Sequence, residues 1–180
     1  KKLRVGDPTD PVTDIGALIS LSHRDRVLDF IHLGEAQGAT RLIGGEPVTV
    51  EGCNGGAFLS PAVFKVDDDQ CVIAREEIFG PVMTILPFQD EAEVIRRAND
   101  TAFGLAGGVF TQNLQRAHRV AAAIKAGVIW VNQYNLTPIE MPFGGMRQSG
   151  LGRENSRHAL DHYTQLKSVF IATDGVNAPY

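Results

Sequence analysis

Val128-Ile129-Trp130-Val131-Asn132, followed by Met141-Pro142-Phe143-Gly144-Gly145-Met146-Arg147-Gln148-Ser149-Gly150-Leu151-Gly152-Arg153-Glu154-Asn155, decides how this chain is read. The first run is short, apolar and rich in β-branched residues, which predicts a buried strand. The second holds four of the 19 glycines within nine residues. Without a Cβ, glycine tolerates positive φ and lets the backbone approach another group closely. A glycine loop leaving the end of a strand occupies the place where open α/β sheets bind ligands. A tight connector between strand and helix fits the same composition. A phosphate loop does not: Gly145 and Gly150 have the spacing of two P-loop glycines, but no Lys-Ser/Thr pair follows and no GxGxxG occurs.

Reading backward from the loop, strand and helix patterns alternate. Val82 to Phe88 reads as a buried strand, and Asp90-Glu91-Ala92-Glu93 opens a helix with a capping-box pattern whose Val94, Ile95 and Ala98 face inward. Leu105 to Phe110 is the next strand. Asn113 caps a helix with Leu114, Ala117, Ala121 and Ile124 on one stripe, ended by Ala126-Gly127. This order predicts an α/β fold with right-handed crossovers and a mainly parallel sheet with flanking helices.

The remaining segments are shorter. Gly6 to Pro11 is a turn-rich loop. Ser22 with Asp25 signals a helix N-cap ahead of Val27, Leu28 and Ile31, and Gly38 is the stop. Thr40 to Ile43 is a short strand, and Gly44 to Gly56 a polar surface hairpin. Phe58 to Val66 has strand composition with Pro61 at an edge or at the strand's beginning. Asp67-Asp68-Asp69 lacks the glycine and glutamate spacing of a calcium loop and reads as a solvated turn. After the glycine loop, Asn155 to His162 is a short helix, and Tyr163 to Ala172 a strand ahead of a polar tail. A strand left with an open edge is an aggregation liability, so it should pair with another subunit or with a segment outside this chain.

Composition narrows the function. Hydrophobic residues make up 43% and charged residues 21% of 180 residues, with a net charge of −4. That balance points away from nucleic acid or an anionic membrane as the main partner. No apolar run approaches the ~20 residues of a membrane span, and the Lys1-Lys2-Leu3-Arg4 start is unlike a signal peptide. Cys53 and Cys71 make neither a disulfide framework nor a metal site, so a cytoplasmic location is expected. Cys53 reads as an incidental thiol, since no flanking positive group would activate it. Cys71 reads as a small packing residue. The chain lacks an initiator methionine, which suggests a piece of a longer protein.

Two blocks carry a family resemblance. Pro142-Phe143-Gly144-Gly145-Met146-Arg147-Gln148-Ser149-Gly150, with Gly152-Arg153-Glu154, resembles the C-terminal signature of the aldehyde dehydrogenase superfamily. Glu76-Glu77-Ile78-Phe79-Gly80-Pro81-Val82, about sixty residues earlier, resembles its cofactor-contact motif. Essentially the whole chain is covered. The resemblance implies oxidation of an aldehyde with NAD or NADP through a cysteine thiohemiacetal, hydride transfer and thioester hydrolysis. It also implies that residues 1–162, with the glycine-rich loop 141–155, form the C-terminal part of a catalytic domain, and residues 163–180 an oligomerisation strand and tail. The dinucleotide-binding domain and the Phe-x-x-x-Gly-Gln-x-Cys nucleophile segment are not in this sequence. Alone, the chain should not turn over.

The resemblance assigns roles by position. Glu77 matches the carboxylate that hydrogen-bonds the nicotinamide ribose hydroxyls, and Phe79 the ring beside the nicotinamide. Glu154 matches a glutamate proposed for a charge relay in the betaine aldehyde branch; a carboxylate salt-bridged near a helix N-terminus is the simpler alternative. Main-chain carbonyls of Arg147 and Gly150 match positions that bind a monovalent cation, usually K+, between subunits. The run from Asn132 to Phe143 is similar to betaine aldehyde and 4-trimethylaminobutyraldehyde dehydrogenases. There Tyr134 would be one wall of an aromatic cage for a quaternary ammonium group, a contact worth about 2 kcal/mol when desolvated; the alternative is a Tyr lining an apolar funnel. Other aldehydes, such as a muconic semialdehyde, compete within the family, and a homo-oligomer is expected. Outside enzymology, the rival is a non-catalytic assembly module that pairs through its terminal strand.

Overall fold

In the computed structural model, which describes residues 3–175, the chain divides into two compact units, Lys1–Glu93 and Val94–Tyr180. In the first, α1 (Leu21–Ala36) is capped by Ser20, whose hydroxyl accepts the His23 N–H at 3.1 Å. The predicted cap, Ser22, lies inside the first turn instead, because Ser20 is the residue with extended backbone. Gln37 closes the helix, and Gly38 follows with φ 92°.

Strand β1 (Thr40–Ile43) pairs antiparallel with β2 (Ala62–Lys65), and β2 pairs in parallel with β3 (Val82–Ile85), in the order β1-β2-β3. Pro61 sits just before β2. It marks a strand's beginning rather than an edge, because β2 is the central strand. The expected hairpin at residues 44–56 forms with its return arm beyond Gly56, where residues 46–48 pair antiparallel with residues 58–60. Residues 44–56 begin the long connection between β1 and β2, stitched by single bridges Pro47↔Leu59 and Leu18↔Ala57. Near the predicted solvated turn, Asp68 accepts the Gln70 N–H and Lys65 pairs with Asp67.

The core of this unit gathers Val27 and Ile31 from α1, Phe64 and Ala62 from β2, Ile73 from α2 (Val72–Arg75), and Leu59, Val66 and Ile78 from connecting segments. Cys71 packs into it as predicted. Strand β3 alternates between half-buried and exposed residues, with Met83 and Ile85 outward, so it is not the fully buried strand its composition suggested.

Helix α3 (Glu91–Asn99) begins with the predicted reciprocal cap: Asp90 accepts the Glu93 N–H, and Glu93 reaches back to the Gln89 N–H, both at 2.8 Å. Its Ala98 is exposed, against expectation. In the second unit, β4 (Ala106–Val109) and β5 (Val128–Val131) form a parallel pair in the register Ala106↔Val128, with α4 (Leu114–Ala123) connecting them. Asn113 caps α4 through the Arg116 N–H. The helix buries Ala117 and Val120, whereas Leu114 is 72% exposed. Ala121 and Ile124 are half-buried, so the stripe read from sequence holds except at Leu114.

Strands β3 and β4 belong to separate sheets. The fold is α/β, parallel at β2/β3 and β4/β5, with one antiparallel pair at β1/β2. Among the described residues no helix is long and apolar enough to cross a membrane. A 3-10 turn at Arg157–Ala159 leads into α5 (Leu160–Tyr163). Residues 164–175 have no regular structure within the chain and expose Leu166, Phe170 and Ile171. The last five residues of the predicted tail lie outside the described residues.

Candidate active site

In the first unit, the backbone leaves α2 at Glu76 in extended conformation. The side chains then alternate: Glu77 is exposed, Ile78 is 7% exposed within the core, and Phe79 is 75% exposed. Burial of Ile78 thus turns both neighbours outward. Phe79 has φ 56°, an uncommon conformation for a bulky residue. Its carbonyl lies 2.7 Å from His23 Nε2 on α1, so that nitrogen carries the donated hydrogen. After Phe79 the chain turns directly into β3, where Ala62 donates to Pro81 O. An exposed carboxylate and an exposed ring on one anchored turn suit a dinucleotide: Glu77 can accept two hydroxyl hydrogen bonds, and Phe79 offers a flat face. His23 escaped the sequence reading because nothing in local spacing links residues 56 apart.

The second unit holds Tyr134, Arg147, Gly150 and Glu154. Trp130 of β5 is buried and donates its Nε1–H to Leu136 O at 2.7 Å. Tyr134 packs on that indole at 5.0 Å between ring centroids, tilted by 56°, and remains 60% exposed. The ring is braced on one side and open on the other.

The glycine loop is pinned at several points. Phe143 and Glu154 exchange two backbone hydrogen bonds, 2.9 and 2.7 Å, closing the loop on itself. Gly127, at the foot of β5, lies directly against the Gly144 carbonyl, where a Cβ has no room. Gly104 N donates to Ser149 Oγ, and Met146 N to Gly104 O, both at 2.9 Å. Arg147 has φ 56°, and its guanidinium donates to the carbonyls of Asn99 and Thr101 just past α3. Cations are favoured at a helix C-terminus, so this side chain is used structurally. Gly150 has φ 112° after the 3-10 turn Arg147–Ser149. A cation here would be held by neutral carbonyl oxygens, a donor set suited to a hard ion. Among the described residues, no cluster of three or more His, Cys, Asp or Glu side chains could hold a metal.

The Glu154 carboxylate accepts from the Tyr163 hydroxyl at 3.4 Å. It is not at a helix N-terminus; Ser156 caps the following 3-10 turn through the His158 N–H. His162 Nε2 accepts the Arg153 N–H at 3.1 Å. Both α5 contacts were missed in the sequence, where His162 read only as the end of a short helix and Tyr163 as the start of a strand. Beside the loop, Ile139, Pro142, Asn155 and Ala159 line an open groove of ≈ 800 Å³ edged by Glu140, Arg157 and His158.

Neither cysteine is placed as a nucleophile. Cys71 is buried, its thiol 4.0 Å from Gly34 O. Burial, then the charge and hydrogen bond of Asp7, push the Cys53 thiol up, which leaves less reactive thiolate.

The sequence profile of the aldehyde dehydrogenase family matches residues 1–169. A betaine aldehyde dehydrogenase of Brucella anthropi is 53% identical over all 180 residues, which correspond to 37% of that protein. The betaine aldehyde dehydrogenase of Brucella ovis is 54% identical over the same span, again 37% of its length. Among solved structures, a Bacillus cereus aldehyde dehydrogenase in complex with NAD+ superposes with a TM-score of 0.89 at 44% identity, covering 96% of this chain and 34% of that one. The chain therefore spans just over a third of the length of the curated relatives it matches.

Proposed function

The chain belongs to the aldehyde dehydrogenase family, and on that premise we propose that it supplies the C-terminal portion of an NAD-dependent enzyme oxidising betaine aldehyde or a related aminoaldehyde to its carboxylic acid. The observation that carries this reading is identity of 53–54% to betaine aldehyde dehydrogenases over the full 180 residues. When bound, NAD accepts the hydride released from the aldehyde carbon. Glu77 holds the nicotinamide ribose through its two hydroxyls, and Phe79 limits where the nicotinamide can lie. The anchored turn beneath them favours this role, because reach and angle are set before the cofactor arrives. The nucleophilic thiol comes from outside these residues, in keeping with the burial of Cys71 and the suppressed Cys53 thiolate.

Tyr134 forms one wall of the site for the quaternary ammonium group. Support comes from its open face and its bracing by Trp130, which fixes the ring before substrate binds. Glu154 serves in proton transfer at the loop, and the carbonyls of Arg147 and Gly150 hold K+. Residues 163–172 supply the oligomerisation strand, ahead of the tail; the exposed apolar side chains at Leu166, Val169 and Phe170 favour a covering partner.

Replacing Tyr134 in the intact enzyme tests the substrate assignment. Tyr134→Ala should lower kcat/KM for betaine aldehyde by about tenfold or more, from a contact of about 2 kcal/mol. The neutral isostere, with a quaternary carbon in place of nitrogen, should lose far less. Equal losses on both substrates would remove the cage.

A further inference from the structure

His162 meets the glycine loop through an interaction with only one consistent protonation state. The Arg153 backbone N–H can only donate, so Nε2 at 3.1 Å must carry a lone pair. The ring is then neutral, with its hydrogen on Nδ1. The same ring lies against Gly152, whose φ is 86°; a Cβ on Gly152 would come within 2.6 Å of Nε2. One residue further along α5, the Tyr163 hydroxyl reaches the Glu154 carboxylate. Two successive residues of α5 thus grip two successive residues of the loop.

We propose that His162 is a positioning residue: its neutral imidazole clamps the Gly152–Glu154 turn and so sets the Glu154 carboxylate, and protonation of the ring releases that turn. An imidazolium has hydrogens on both nitrogens, so Nε2 would confront the Arg153 N–H as donor against donor. His162 is exposed, and protons reach it from solvent. The charged and titratable groups on the two segments that meet at it are Arg153 and Glu154 on the loop, and Arg157, His158, Asp161 and Tyr163 on its own turns. His158 Nδ1 lies 3.9 Å from Asp161 Oδ2 and forms an ion pair with it when protonated.

The catalytic consequence rests on the function proposed above; the clamp itself does not. Amide hydrogen exchange of Arg153 in the intact enzyme, scaled to unstructured-peptide rates, reads the clamp directly at about pH 8 and about pH 5, the interval in which histidine takes up a proton. The wild type should lose about fivefold in protection at the lower pH, the worth of one ordinary hydrogen bond. His162→Phe should show the low value at both, and His162→Gln, whose acceptor does not titrate, a value that does not change with pH. In parallel, the acid limb of the kcat/KM profile should shift in His162→Gln. Protection in the wild type that is the same at both pH values would overturn the proposal. So would a His162→Phe variant protected like wild type, or a pH dependence that persists in His162→Gln. If the exchange results hold while the enzyme fails to oxidise betaine aldehyde, the substrate assignment falls and the clamp stands.

Discussion

Phe79 is the place where structure and proposed role conflict most measurably. A bulky side chain at φ 56° is strained, and its ring is 75% exposed, so little packing offsets the strain. Comparing Phe79→Gly with Phe79→Ala isolates the backbone term, because both delete the same ring. The lost contacts are modest: a quarter of a ring's ~200 Å² at about 25 cal/mol per Å² comes to about 1 kcal/mol in each variant. An L-residue held in the left-handed region costs about 1–2 kcal/mol. Glycine escapes that cost but gives back about 0.5–1 kcal/mol in unfolded-chain entropy. The Gly variant should therefore be more stable than the Ala variant by about 1 kcal/mol, the reverse of the usual order in regular structure. For a chain of this length that is about 2–4 °C in Tm, and urea midpoints should agree. Both variants should impair NAD handling alike, since the ring and not the strain makes the contact. An Ala variant as stable as the Gly variant would show that residue 79 is not held in the left-handed region, and the anchored turn would lose its basis.

Glu77→Gln in the intact enzyme should raise KM for NAD or slow hydride transfer by about tenfold, the cost of weakening a charge-assisted pair of hydrogen bonds; unchanged kinetics at limiting NAD would rule out the ribose contact. Gly127→Ala should destabilise the second unit by at least about 1–3 kcal/mol, because the new methyl is driven into the Gly144 carbonyl; a neutral effect in thermal unfolding would contradict the close approach. Cys53 should alkylate more slowly than a peptide cysteine at mildly alkaline pH, since its thiol is pushed up first by burial and then by Asp7. Asp7→Asn should quicken the reaction only in part, because burial remains. Asp7 itself is held below the ordinary carboxylate range, chiefly by the Thr9 backbone N–H and then its hydroxyl. Its stabilisation is present at neutral pH and is lost as pH falls below the usual value of 3.8, so the acid limb of an unfolding-versus-pH curve should flatten in Asp7→Asn.

What could be read in advance follows the range of the forces involved. Val128–Val131, Thr40–Ile43 and the Asp90 and Asn113 caps depend on neighbours in sequence, and their patterns survive folding. The α1 cap was misplaced by two residues because Ser20 and Ser22 both stand at its start, and backbone conformation at Ser20 decides between them. The antiparallel β1/β2 pair was hidden by an eighteen-residue connection that local periodicity cannot bridge. The motifs exposed Glu77, Phe79, Arg147, Gly150 and Glu154, since each lies in a contiguous block. They could not expose His23 or His162. His23 meets a carbonyl 56 residues away and His162 an amide nine residues back in another segment, and a side chain that serves another segment's main chain leaves no periodic trace.

The most direct test is NADH formation from betaine aldehyde by the intact enzyme that carries this segment, with carboxylate product measured alongside. One NADH per glycine betaine formed, with kcat/KM at least about tenfold above that of the neutral isostere, is the predicted result. No NADH from betaine aldehyde at saturating NAD, or no preference for it over the isostere, would contradict the assignment.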